Sequence, residues 1–252
     1  SFESAPPPRN KHAESILSFR LDRIFKFNNY SNIIQHYKKA FTLAEVLITI
    51  GIIGIVAALT IPTLIANHRK KIVENKLKKF YTTMSQAVLM SEIDNGPSSE
   101  WTTNYDNNKD SIIFYNTYLA KYLSSLGTQK VAAGSSDVTI YLSDGTAFRI
   151  YNGSCADIEF YLDQTKSFKT SDKRTAGKDY FSFRICNASN KNYYGGGKEG
   201  GFNTTCNGKL SNRMDRDYLL EHCKNPFIDG NTCSALIEYD GWEIKKDYPY
   251  RF

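Results

Sequence analysis

Hydrophobic and polar positions change rhythm twice along this chain. From Phe41 to Ile61 there are 21 residues, and Glu45 is the one charge among them. A run with no polar face predicts a helix with apolar surroundings on every side. At about 1.5 Å per residue it spans roughly 30 Å, the thickness of a bilayer's hydrocarbon core. A secretory signal peptide would have a shorter apolar core and a small-residue cleavage site after it. Here TIPTLIANHRKK follows instead. Gly51 and Gly54 weaken a helix in water but permit close approach between helices in lipid. Pro62 removes one backbone donor and is expected to kink the helix rather than end it.

Beyond Pro62 the helical period continues with a narrower apolar face. Ile65, Ile72, Val73, Leu77, Phe80, Tyr81, Met84, Val88 and Leu89 recur at spacings of three, four and seven. Arg69, Lys70, Lys71, Glu74, Lys76, Lys78, Lys79 and Gln86 fall between them. That is an amphipathic helix with one stripe for a globular partner. It should stop near DNGP, residues 94–97. The layout is a leader over 1–40, a membrane helix over 41–65, its amphipathic continuation over 66–96 and a globular domain over 97–252.

The globular part changes rhythm again, towards a period of two. SIIFYNTYLAKYLSSLG reads as a second, shorter helix. VTIYL and TAFRIY read as strands, and the LSDGT turn between them carries an Asp-Gly hairpin signal. DIEFYL, YFSFRI and SALIEY read as further strands, and NASNKNYYGGGKEGGFNTTCNG as a long polar loop. The expected class is α+β, one long helix laid across a small antiparallel sheet with a loop-rich C-terminal part.

Charge and cysteine placement narrow the function classes. Residues 1–40 hold seven Lys/Arg against three Asp/Glu, and the other 212 hold 25 against 23. So balanced a body gives no strong nucleic-acid footprint. Cys155, Cys186, Cys206, Cys223 and Cys233 all fall late, with no CxxC pair and only His222 nearby. Two disulfides and one leftover thiol fit this better than zinc, and would put the domain outside the cytoplasm. The turn-rich loop KNPFIDGNT makes Cys223–Cys233 the first pairing to expect. Three of the four histidines precede the globular domain, and no triad or paired-carboxylate arrangement stands out, so no enzyme, metal or cofactor is expected. YGGGKEGG lacks the Ser or Thr that a phosphate-binding loop places after its lysine. Asp229, Asp240 and Asp247 match no calcium loop and read as solvated turn residues.

Glu45 remains to be explained, because a lone carboxylate in hydrocarbon costs a few kcal/mol. A cut between Ala40 and Phe41 would create an α-amino group one helical turn before it. In an assembly, that amine on a neighbouring subunit would supply the missing cation. The segment KKAFTLAEVLITIGIIGIVAALTIPTL closely resembles the N-terminus of type IV pilins and type II secretion pseudopilins. Lys38 and Lys39 match the basic leader, Phe41, Thr42, Leu43 and Glu45 the start of the mature chain, and Pro62 the family's helix-kinking proline. Two features depart from the pattern: Ala40 stands where Gly is usual, and the leader is long, which fits a misplaced start.

The resemblance implies a pilin-like fold and a set of partners. These are a prepilin peptidase that cleaves after Ala40 and methylates Phe41, other pilin or pseudopilin subunits, an inner-membrane assembly platform, and membrane lipid. It implies a filament held together through Thr42, Leu43 and Glu45, with the C-terminal domain outside the bacterial inner membrane. The alternatives are a minor tip pilin that binds DNA, a surface or a secreted substrate, and a single-pass membrane protein that never polymerises. One feature opposes the implied orientation. Six Lys/Arg between Arg69 and Lys79 follow the span, but only Lys38 and Lys39 immediately precede it. The positive-inside rule alone would leave the domain in the cytoplasm.

Overall fold

The computed structural model describes residues 41–101, 111–131, 137–152, 155–167, 174–186, 200–204, 215–225 and 232–252. The chain divides into two compact units, one ending at Ile53 and one running from Gly54 to Phe252. Helix α1 (Leu43–Asn95) begins in the first. From Phe41 to Ile53 no side chain is buried, and Phe41 is 83% exposed.

In the second unit α1 first stays uncovered, with Ile55, Leu59 and Leu64 exposed. Its first buried residue is Val73. From there Leu77, Phe80, Met84, Ala87, Val88 and Ser91 form one buried stripe, narrower than the expected one, with Ile65, Ile72 and Leu89 exposed. The helix ends at Asn95, where Gly96 takes a positive φ of 76° and Pro97 follows.

The stripe packs on a six-stranded antiparallel sheet whose spatial order matches chain order. Its strands are β1 (Ser125–Lys130), β2 (Val138–Leu142), β3 (Ala147–Asn152), β4 (Ala156–Tyr161), β5 (Tyr180–Ile185) and β6 (Phe202–Asn203). Pairing puts Ile140, Phe148, Phe160 and Phe181 in one row, and Ile150, Ile158 and Phe183 in the next. All seven are buried. Phe80 stacks on Phe160 with centroids 4.0 Å apart and lies within 6 Å of Phe148, Phe183 and Phe202. The alternate positions carry charge: Arg149 pairs with Asp137 and with Glu159. Polar ties fix the docking at its edges. Lys79 Nζ lies 2.7 Å from Asp144 Oδ2 in the β2–β3 turn, and Lys76 Nζ donates to the Leu162 carbonyl at 2.7 Å. That turn is the expected Asp-Gly hairpin, with Gly145 at φ 79° and Thr146 bonded to Asp144 Oδ1.

Two expected elements differ. SALIEY is not a strand but lies in helix α4 (Thr232–Tyr239). Thr232 to Ile237 are all buried, so the stretch shows no alternation from which its period can be read. The Asp-Gly after it closes the helix instead of a hairpin. Gly241 sits at φ 73°, its N–H donates to Glu238 O at 3.0 Å, and Trp242 N–H donates to Ile237 O at 2.8 Å. This is a Schellman cap. The second difference is at 111–127, where the expected single helix breaks into three pieces. A short α turn, α2 (Ser111–Phe114), passes into a π turn over Tyr115–Leu119 and a 3-10 turn over Ala120–Tyr122. Ser124, Ser125 and Gly127 are poor helix formers, and β1 starts at Ser125.

Helix α3 (Arg216–Lys224), unforeseen in the sequence, is capped by Asp215, which accepts from Tyr218 N–H. The polar loop at 187–208 lies outside the described residues except for 200–204, which contribute β6.

The last residues close over this end of the sheet. Tyr248 Oη donates to Gly177 O at 2.6 Å and Tyr250 Oη to Cys223 O at 3.1 Å. Burial raises the Tyr248 hydroxyl well above its ordinary pKa, so it stays a neutral donor. A Cβ on Gly177 would lie 2.4 Å from Cys233 Sγ, and its φ is 80°.

Two stability predictions follow from this packing. Phe80→Ala should cost about 3–5 kcal/mol in urea unfolding, as expected for an aromatic removed from a filled core. Gly177→Ala should cost clearly more than Gly145→Ala. Both glycines have positive φ, but nothing stands within 4 Å of a Cβ at Gly145. Gly145→Ala should therefore lose only about 1–2 kcal/mol of left-handed backbone energy. Equal losses would show that Gly177 does not pack against the disulfide.

Candidate functional site: the head of the long helix

Thr42 and Glu45 lock the first turn of α1. Thr42 N–H and Thr42 Oγ1 each donate to Glu45 Oε2 at 2.8 Å, and Glu45 N–H donates back to Thr42 Oγ1 at 3.2 Å. This reciprocal pair is a capping box, with Thr42 at the N-cap and Glu45 three residues on. The negative charge also faces the positive end of the helix dipole. Glu45 therefore has a partner inside its own chain, which reading it as a carboxylate without one had missed. The signal was present in the sequence, because Thr-Leu-Ala-Glu has the Thr-x-x-Glu spacing of such a box.

Both cap bonds end on Oε2, and among the described residues Oε1 accepts none. The head of α1 thus presents a fixed carboxylate with one oxygen available, beside Phe41 and Leu43, which are 83% and 79% exposed. Ala40 lies outside the described residues. Pro62 lies inside α1, which continues through it. The helix is long and apolar enough to cross a membrane, and its most apolar window has no buried residue.

The basic residues after the apolar run have local work. Lys76 and Lys79 make the domain contacts described above. Lys71 Nζ lies 2.9 Å from Glu74 Oε2, and that carboxylate raises the Lys71 pKa. Glu74 also accepts the Ile244 N–H at 2.8 Å, tying the C-terminal segment to α1. Lys245 pairs with Glu243 at 2.6 Å. Lys245 first, then Lys71 and Lys70, hold the Glu243 carboxyl below its ordinary pKa. Two of the six basic residues that opposed the implied orientation, Lys76 and Lys79, are therefore bound to the domain, and Lys71 is paired within α1.

The cysteines and aspartates resolve separately. Cys223 and Cys233 form a disulfide across the ten-residue separation that singled them out. Cys186 is disulfide-bonded, Cys155 is a buried thiol, and Cys206 lies outside the described residues. Asp240 and Asp247, weighed for calcium, both grip Arg216, at 2.7 Å each for the nearest atoms. Arg216 stands where a cation would, and Asp229 lies outside the described residues. Among the described residues no cluster of three or more His, Cys, Asp or Glu is arranged for a metal.

Comparison with known proteins assigns the two parts of the chain separately. Residues 35–61 match the prokaryotic N-terminal methylation motif, the signature of type IV pilins and pseudopilins. Residues 63–252 match a family of unknown function, DUF6613. No curated protein and no solved structure matches the chain. The DUF6613 match covers the rest of α1 and every strand of the sheet, and the chain therefore belongs to that family, with a pilin-type methylation segment at its head.

Proposed function

We propose that this chain is the precursor of a structural filament subunit of a type IV pilus or a type II secretion pseudopilus. The methylation motif lying on a capped, uncovered apolar helix carries this reading. In it, residues 1–40 are the leader, 41–65 span the inner membrane, 66–96 continue the helix, and 97–252 form the extracytoplasmic domain. The Cys223–Cys233 disulfide supports that side of the membrane. A prepilin peptidase cleaves between Ala40 and Phe41 and methylates the new amine. The assembly platform then draws the helix from lipid into a bundle with other pilin or pseudopilin subunits.

The capping box gives this reading its chemistry. Thr42 holds Glu45 in place through Oε2, leaving Oε1 for the Phe41 ammonium of a neighbouring subunit. Leu43 packs in the same apolar layer. The pair sets axial register, because a wrong offset leaves both charges bare in a dry bundle. Removing one partner of a buried ion pair costs about 3–5 kcal/mol. Losing a helix cap costs only about 1 kcal/mol.

That difference in size separates assembly from simple capping. Gln keeps the cap geometry but not the charge. Glu45→Gln should lower sheared filament yield at least tenfold while leaving membrane insertion intact. Thr42→Val removes both cap bonds of its hydroxyl, keeps the charge, and should lower yield only a few-fold. The opposite order, with Glu45→Gln near normal and Thr42→Val severe, would reduce Glu45 to a cap and remove the inter-subunit pair.

A further inference from the structure

Where α1 leaves its apolar half, the C-terminal segment meets it and encloses an open cleft of about 320 Å³. Lys70, Lys71 and Glu74 from α1 line one side, and Glu243, Lys245 and Lys246 line the other. The two carboxylates are already engaged, Glu74 by Lys71 and Glu243 by Lys245. Lys70 and Lys246 have no ion-pair partner among the described residues, and Lys70 is half-buried against the cleft. Four ammonium groups against two carboxylates leave the cleft an excess of two positive charges.

Its place along the helix names the ligand. Ile65 is the last exposed large apolar residue before Lys70. Five residues of helix rise about 7 Å. The polar layer on each side of a bilayer's hydrocarbon core is about 5–8 Å thick. If Ile65 marks the edge of the hydrocarbon, Lys70 lies at the depth of the lipid phosphates.

We propose that the Lys70/Lys246 cleft is a binding site for the phosphate headgroup of an anionic phospholipid, holding the unassembled subunit at the membrane surface. This rests on reading the apolar half of α1 as a membrane span. Lys70 and Lys246 clamp the phosphate from two sides. Lys71 and Lys245 keep the cleft's carboxylates from repelling it. The site is used in the membrane and vacated when the helix leaves lipid.

The test uses the full chain in neutral detergent, with bound lipids counted by native mass spectrometry. Phosphatidylglycerol should bind at least tenfold more tightly than phosphatidylcholine. A lysine near an anionic surface contributes about five-fold in affinity. Lys70→Gln/Lys246→Gln should therefore lose about 25-fold in phosphatidylglycerol affinity, and Lys70→Arg/Lys246→Arg should retain it. Lys78→Gln/Lys178→Gln removes the same charge from exposed positions outside the cleft and should lose less than three-fold. Equal losses in the two Gln pairs, or no preference for phosphatidylglycerol, would overturn the site. Displacement of the lipid by equimolar inorganic phosphate would overturn the lipid as its ligand. Alkaline carbonate extraction of membranes tests the span separately. A released chain defeats the membrane reading and this proposal with it, whereas a retained chain without lipid preference defeats the proposal alone.

Discussion

Phe80 stacked on Phe160 lies at the centre of the contact on which the domain depends. A sheet with one aromatic face must cover that face, and a helix with one apolar stripe must cover that stripe. Around Phe80 the two requirements meet, with Phe148, Phe183 and Phe202 closing in from three strands. The remaining connections hold that contact in place. Lys79 pins the hairpin, Glu74 pins the C-terminal segment, and the disulfide links α3 to α4.

The same contact leaves the rest of α1 uncovered. The sheet covers the helix only from Val73 onward, and the large apolar side chains before it stay exposed. Exposed apolar surface on that scale marks a partner or a membrane. Glu45 and Ile65 are twenty residues apart, roughly 30 Å of helix, which matches a hydrocarbon core with a polar group at one edge. In that setting the carboxylate is no defect. The capping box uses one of its oxygens to begin the helix, and the other accepts no bond among the described residues.

Much of this was legible in the sequence, for physical reasons that differ by element. The stripe of α1 and the rows of β2 to β5 each have one covered face, so their periods of 3.6 and 2 survive in the residue order. Helix α4 is buried from Thr232 to Ile237 and shows neither period there, so its short apolar run passed for a strand. The 111–127 helix failed because a π turn and a change to strand came within one run of aromatic residues. Cys223 and Cys233 were readable because a short turn-rich loop brings them together. Arg216 was not, since the aspartates it holds lie 24 and 31 residues away. At the candidate site, Thr42 and Glu45 were singled out for assembly, and the bond between them was overlooked in favour of a partner from outside.

The most direct measurement is intact and N-terminal peptide mass spectrometry of the chain extracted from its native membranes. A processed subunit begins with N-methylated Phe41, which places a charged amine directly before the capping box. A chain that retains Lys38 to Ala40 has no such amine. That result would contradict the filament reading and leave a membrane-anchored domain whose Glu45 serves only as a cap.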